Sequence, residues 1–148
     1  MNFVSSDLAR YAAYPDVVSF QVDARRYGWP LRPVRRVQGR NRYSLAEAVT
    51  AHTISILRHM SIPSSSIKTL LDRIDQAAFR AALDEFEAAQ CDQIILTIPC
   101  APHFEPDDAT DLHTVHTNQQ SALETLAELD AIYINLSEIS QGIRDGHL

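Results

Sequence analysis

The chain has 148 residues with a formal net charge of −6, and 45% of its residues are hydrophobic. This composition predicts a folded domain of ordinary size, or a small domain joined to an oligomerisation module, and excludes a disordered chain. No apolar run approaches the ~20 residues of a membrane-spanning helix, and the N-terminal sequence is unlike a signal peptide. The two cysteines provide no disulfide framework, so we expect a cytoplasmic protein without membrane contact.

The two halves of the chain carry opposite charge. Residues 1–75 contain eleven Arg and Lys residues and six acids, whereas residues 76–148 contain two basic residues and thirteen acids. Residues 1–44 alone hold eight arginines and three acids. Because phosphate responds to the local surface rather than to the average charge, the first half is suited to nucleic acid despite the overall acidity. Charge alone would equally fit a solvated surface.

The chain begins with two predicted short helices. Ser5-Ser6-Asp7 offers N-caps for a helix from Asp7 to about Ala13, and Pro15 ends it because proline disfavours the helical conformation in the preceding residue. A second helix runs from Val18 or Ser19 to about Tyr27, where Gly28 stops it. Two short helices joined by a tight turn, the second of them basic, form a helix-turn-helix pattern.

The second helix carries the candidate base-reading residues. Arg25 and Arg26 remain polar on it, and we expect them in the major groove, bound to phosphate or to guanine in a bidentate manner. Ser19 and Gln21, near the start of the helix, are placed to reach base edges. Apolar packing is expected from Phe20, Val22, Ala24, Tyr27 and Trp29.

A basic hairpin is predicted over residues 32–43. Valines and a tyrosine favour extended structure here, and Gln38-Gly39 or Gly39-Arg40 suits the tip of the turn. After a helix-turn-helix such a hairpin is a wing, and its arginines have little to pack against. We expect phosphate contacts, which fix position rather than sequence, from Arg40, Arg42 and Tyr43. Arg35 and Arg36 lie on the first strand of the wing, and one of them should face DNA.

The later elements complete a fold that is mainly α and belongs to the α+β class. Ser44 to Glu47 form a capping box, in which the serine oxygen accepts from a backbone amide and the glutamate reaches back. This box opens a helix to about His59. We then predict helices over 64–74 and 76–90, a strand over 93–98, a loop over 105–111, a helix over 116–129, a strand over 131–136, and a closing helix or tail over 137–145. The domains are therefore a winged helix-turn-helix over residues 1–75 and an acidic α/β dimerisation and sensing module over 76–148.

Several stretches resemble known DNA-binding families. Gly39-Arg-Asn-Arg-Tyr-Ser-Leu-Ala-Glu47 resembles the wing tip and following helix of the MerR family, and residues 57–71 resemble the helix-turn-helix that comes next in that family. The start, Phe3 to Ala9, together with Arg25-Arg-Tyr-Gly-Trp29, is similar to the DNA-binding domain of Mu-type phage repressors and transposases. Asn41 stands where the MerR family usually has arginine.

The resemblance implies a sequence-specific transcription regulator of bacterial or phage type, acting as a repressor. It would bind double-stranded DNA as a homodimer on an inverted-repeat operator, with the acidic half holding the dimer together. An unidentified small-molecule or protein effector is left open, and we expect no cofactor and no enzymatic activity. Two other classes stay open: a DNA-architecture or excision factor of a mobile element, and a metal-binding or protein-interaction adaptor.

The adaptor hypothesis rests on a metal-like spacing in the acidic half. Cys100-x-x-His103 is followed by His113-x-x-His116, and zinc favours tetrahedral sulfur and nitrogen ligands. Metal-sensing MerR regulators usually bind metal through cysteines near their dimerisation helix, a pattern that this sequence lacks. We therefore expect a polar surface loop rather than a metal site. A catalytic Cys–His pair is not expected either, because no orienting third group is recognisable.

Overall fold

The computed structural model describes residues 2–100, 114–128 and 130–146. Over these ranges the chain is a mixed α and β protein, which confirms the α+β class. The elements in chain order are α1 (Ser5–Tyr11), α2 (Val17–Tyr27), β1 (Arg35–Val37), β2 (Arg40–Arg42), α3 (Leu45–His59), α4 (Ser64–Asp72), α5 (Gln76–Glu87), β3 (Ile95–Pro99), β4 (Val115–His116), α6 (Gln119–Glu128), β5 (Ala131–Asn135) and α7 (Ser137–Arg144).

The chain divides into two compact units. The first contains residues 1–69 together with 139–148, and the second contains residues 70–138. Within the described ranges, no helix has both the length and the apolar character that a membrane span requires.

A cluster of aromatic rings holds α2 in the first unit. The ring centroid of Tyr14 lies 5.5 Å from that of Phe20 and 6.1 Å from that of Trp29, both in edge-on geometry. Tyr27 stacks on Trp29 at 5.9 Å. Such pairs add stabilisation beyond the burial of their area. Phe20 and Trp29 are buried, so the expectation that these aromatic residues pack in the domain is confirmed.

Polar contacts tie the same cluster to its neighbours. The Tyr14 hydroxyl donates to the Asp23 carboxylate at 2.7 Å. The Arg58 guanidinium lies over the Tyr14 ring, 4.1 Å from its centroid, and donates to the Ala12 carbonyl at 3.0 Å. Burial, followed by the hydrogen bond to Asp23, raises the pKa of Tyr14 above its usual range, so the hydroxyl stays a donor.

Helix α3 forms the centre of the first unit and is buried along most of its length. Its N-cap is Ser44, as predicted, and the helix packs against α1. The capping-box bond predicted from a backbone amide to the serine oxygen is absent. The Ser44 hydroxyl makes no cap to a backbone amide and instead donates to the carboxylate of Glu47, which is itself buried. The serine hydroxyl therefore acts as a donor to a side chain, whereas the sequence pattern assigned its oxygen the role of acceptor from a backbone amide.

The second unit is built on a three-stranded antiparallel sheet with strand order β4-β3-β5. All five residues of β3 are buried, and they pair with β5 from Ile95 opposite Asn135 to Pro99 opposite Ala131. Helix α6 packs on β3 and β4, and α5 packs on β4. The apolar stripe predicted on α5 is confirmed, since its phenylalanines and its leucine are buried.

The helix predicted over 116–129 begins later, at Gln119, so its predicted start is wrong. Val115 and His116 pair with β3 as strand β4 instead. The Asn118 side chain accepts a hydrogen bond from the Ser121 amide at 2.9 Å and so marks the first turn of α6. The loop predicted over 105–111 lies outside the described residues.

Two leucines of the second unit test how much of its stability comes from the buried sheet. Leu96 on β3 is 0% exposed and Leu123 on α6 is 53% exposed. We expect Leu96→Ala to lower the free energy of unfolding by about 2–5 kcal/mol, because it leaves a cavity. The matched change Leu123→Ala should cost less than about 0.5 kcal/mol. Urea denaturation followed by circular dichroism measures both, and equal losses would contradict the assigned packing.

Candidate nucleic-acid interface

The turn of the basic hairpin is formed by Gln38-Gly39, the first of the two predicted tips. Both residues have positive φ, 49° and 76°, which is the conformation of a type I′ turn. Val37 pairs with Arg40 on either side of the tip. At the other end, Phe3 and Tyr43 exchange backbone hydrogen bonds of 2.9 and 2.8 Å, so the start of the chain extends the ladder.

The register of this hairpin places positive charges directly opposite each other. Arg35 is the cross-strand partner of Arg42, and Arg36 is the partner of Asn41. Side chains alternate between the two faces of a strand, so Arg35 and Arg42 share one face. Like charges in directly opposed positions destabilise a strand pair. A bound anion would relieve this repulsion.

A cleft of about 490 Å³ separates the hairpin from the first turns of α1 and α2. It brings together three residues that the sequence selected separately, since Gln21 of α2 and Arg36 and Arg40 of the hairpin all line it. Asn41 lines it too, at the position where the MerR family usually has arginine. The cleft therefore joins the candidate reading helix to the candidate wing.

The arginines of α2 and the hairpin, two of which line the cleft, have no carboxylate partner among the described residues. Arg25, Arg26, Arg35, Arg36 and Arg40 are exposed, and Arg42 and Tyr43 are half-buried. None of these six arginines forms a salt bridge with a carboxylate in the part of the chain that the structure describes. The Arg36 Nε group donates to the Gly39 carbonyl at 3.0 Å, which braces the tip. Within the described ranges, this surface therefore carries positive charge that no salt bridge compensates.

Ser19 takes part in the N-cap of α2. The Asp16 carboxylate accepts from the Ser19 amide at 2.7 Å and from its hydroxyl at 2.9 Å. These two hydrogen bonds, the amide first, hold the pKa of Asp16 below its usual value. The hydroxyl of Ser19 is therefore engaged in the cap, and its role in base contact stays a prediction.

Sequence reasoning misplaced the outward face of α2. Val22 was expected to pack inward, but it is 52% exposed, and Val18, one turn earlier, is 69% exposed. At about 100° per residue, both valines lie about 160° around the helix from the buried Phe20. The phase of the helix relative to Phe20 is the signal that would have found them.

His116, one of the candidate metal ligands, contacts other side chains through both of its ring nitrogens. The Nε2 atom of His116 lies 2.8 Å from the Thr97 hydroxyl, and its Nδ1 atom lies 2.7 Å from the Ser121 hydroxyl. Both ring nitrogens are thus engaged by protein groups. Over the described ranges no three His, Cys, Asp or Glu side chains are grouped as metal ligands. His103 and His113 lie outside the described residues.

A scan of protein-family models, a search of curated proteins and a search of solved structures give no match to this chain. The resemblance to the MerR family and to Mu-type repressors therefore stays a prediction from the sequence.

The left-handed tip is testable through Gly39. A side chain added there meets no atom within 4 Å, so only the backbone conformation opposes it. We expect Gly39→Ala to lower the free energy of unfolding by about 1 kcal/mol, and Gly39→Asn to cost less because asparagine tolerates this conformation. Urea denaturation of the two variants beside the parent measures the difference. An alanine variant as stable as the parent would refute the assigned turn.

Proposed function

We propose that this chain is a DNA-binding transcription regulator, without enzymatic activity, that represses as a homodimer on an inverted-repeat operator. In this proposal α1, α2 and the hairpin form a winged helix-turn-helix, with α2 in the major groove and the hairpin along the adjacent backbone. One observation carries it: Gln21 of α2 and Arg36 and Arg40 of the hairpin line one cleft, amid arginines that lack a carboxylate partner among the described residues.

The dimensions and charges of these elements suit a duplex. A helix with its side chains is about 10–12 Å across, and the major groove of B-DNA is about 12 Å wide. The hairpin arginines would bind phosphate, and each contact releases condensed counterions. A phosphate beside Arg35 and Arg42 would also relieve the repulsion between these opposed side chains.

Different arginines have different parts in this proposal. Arg25 and Arg26 lie exposed on the second half of α2, where a guanidinium can read guanine through two hydrogen bonds. The hairpin arginines would instead hold the backbone and carry no sequence information. The proposal therefore separates selectivity, which α2 supplies, from general affinity, which the hairpin supplies.

Binding at two salt concentrations tests this division. We expect Arg25→Ala to lose most of the preference for the sequence that the parent protein selects from random duplexes. Arg40→Ala should weaken binding to all sequences about equally and reduce the slope of log K against log salt by about 0.9, since one phosphate contact is lost. Fluorescence anisotropy with specific and random duplexes measures both effects, and Arg80→Ala on α5, an exposed arginine of the second unit, is the control.

The absence of any DNA binding at low salt would reject both the regulator and the DNA-architecture alternative. Binding with no sequence preference, accompanied by bending of the duplex, would favour the architecture or excision factor. If both arginine variants bind like the parent, the placement of α2 and the hairpin on DNA is wrong.

The homodimer is supported by one edge of the sheet in the second unit, which no described strand covers. Strand β5 has one neighbour, β3, in the described part of the chain. Leu136 donates to Ile94, and Cys100 donates to Asp130, so the even-numbered residues of β5 hydrogen-bond to β3. The odd-numbered residues direct their backbone groups outward. Two β5 edges can therefore pair about a two-fold axis at Tyr133.

Two proline substitutions separate this edge from the interior of the sheet. Tyr133→Pro removes an outward N–H, so we expect it to give a folded monomer. Ile134→Pro removes an N–H that bonds to β3, so we expect it to destabilise the second unit itself. Sedimentation velocity and thermal denaturation of both variants are the measurements. A Tyr133→Pro variant that remains dimeric would place the dimer interface elsewhere.

A further inference from the structure

The outward face of α2 is apolar over its first half and basic at its end. Val18 and Val22 are separated by one helical turn and protrude opposite the buried Phe20, and Arg25 and Arg26 follow on the same exposed side. Gln21 lies beside the valines and lines the cleft. This side of the helix carries no carboxylate.

The two valines do not contribute to folding in an evident way. Their side chains are mostly in solvent, so they bury little area in the first unit. Valine also has a low helix propensity, because its branched side chain loses rotamer freedom against the preceding turn. Two such residues on the exposed side of an 11-residue helix are unfavourable both for the helix and for solubility. A binding partner with apolar groups accounts for them.

We infer that Val18 and Val22 are specificity-determining residues that contact the 5-methyl groups of thymine in the major groove. This inference rests on the proposed function. The thymine methyl is the apolar group that the major groove displays among its donors and acceptors, and short aliphatic side chains read it. The valines would select thymine, while Gln21 and Arg25 beside them would select adenine and guanine.

The charge around the valines favours DNA over a protein as the occupant. A groove-binding protein would have to place its surface against Arg25, Arg26 and the hairpin arginines, none of which has a described carboxylate partner. A DNA groove presents phosphates on both sides of its base edges, so it matches an apolar centre with basic flanks. Binding of a protein to this face is the alternative, and the test below includes it as an outcome.

Replacement of thymine by deoxyuridine tests the contact at single-methyl resolution. The full chain is used to select binding sites from random duplexes, and each thymine of the selected site is then replaced in turn. We expect one or two positions at which the parent loses about fourfold in affinity, the effect of burying about one CH₂ equivalent. Val18→Ala and Val22→Ala should each abolish this loss at the thymine that the replaced valine contacts.

Leu123→Ala is the control, because Leu123 is an aliphatic residue of similar exposure, 53%, that lies on α6 of the second unit. This variant should keep the full sensitivity to deoxyuridine. Thermal denaturation should show all three alanine variants at least as stable as the parent, since none removes a buried side chain and alanine favours the helix more than valine does.

The outcomes distinguish the inference from the function on which it rests. A selected site that is bound equally well with deoxyuridine at every position overturns the inference and leaves sequence-specific DNA binding intact. Sensitivity that persists in both α2 variants also overturns it. The absence of any selected sequence rejects the proposed function and the inference together. A protein that co-purifies with the parent and is lost from Val18→Ala would identify a protein as the occupant instead.

Discussion

The packing of Phe20 against Tyr14 and Trp29 determines how the rest of the first unit is presented to solvent. A helix anchored on one side by an aromatic residue has its opposite side fixed as well, and on α2 that side holds Val18 and Val22. The hydrogen bond from Tyr14 to Asp23 and the guanidinium of Arg58 over the Tyr14 ring prevent rotation of the helix about this anchor. The orientation of the exposed face is therefore a property of the core and not of the surface residues.

The hairpin combines a well-defined backbone with poorly compensated charge. Its tip, its register and its pairing with Phe3 leave little freedom in the positions of the β1 and β2 side chains. The opposed pair Arg35 and Arg42 makes this arrangement electrostatically unfavourable without an anion. Under the proposed function, the stability of the hairpin would depend on DNA binding, because a polyanion would stabilise the same two side chains whose repulsion weakens the free hairpin.

Local chemistry in the sequence was sufficient to predict most of the elements. Pro15 and Gly28 bracket α2, and the turn residues Gln38-Gly39 place the hairpin tip, since these signals act on the backbone within a few residues. Two features depended on tertiary contacts and could not be read in this way. Val22 is exposed because the aromatic cluster sets the phase of α2, and His116 joins a sheet whose partner strand lies some twenty residues earlier. The candidate site was identified as a set of residues, whereas the cleft that unites them was not foreseen.

The bridge between Phe3 and Tyr43 has a consequence for the order in which the first unit assembles. It closes a loop of about forty residues, and the entropy of such a closure must be overcome before its two hydrogen bonds form. A two-stranded hairpin is marginal in isolation, so β1 and β2 gain their persistence from this non-local pairing. During synthesis, the start of the chain therefore waits for residue 43 before its ladder can close. Opening of the Phe3–Tyr43 bridge and loosening of the hairpin would likewise be one cooperative event, so the pairing of Phe3 affects the geometry of the arginines.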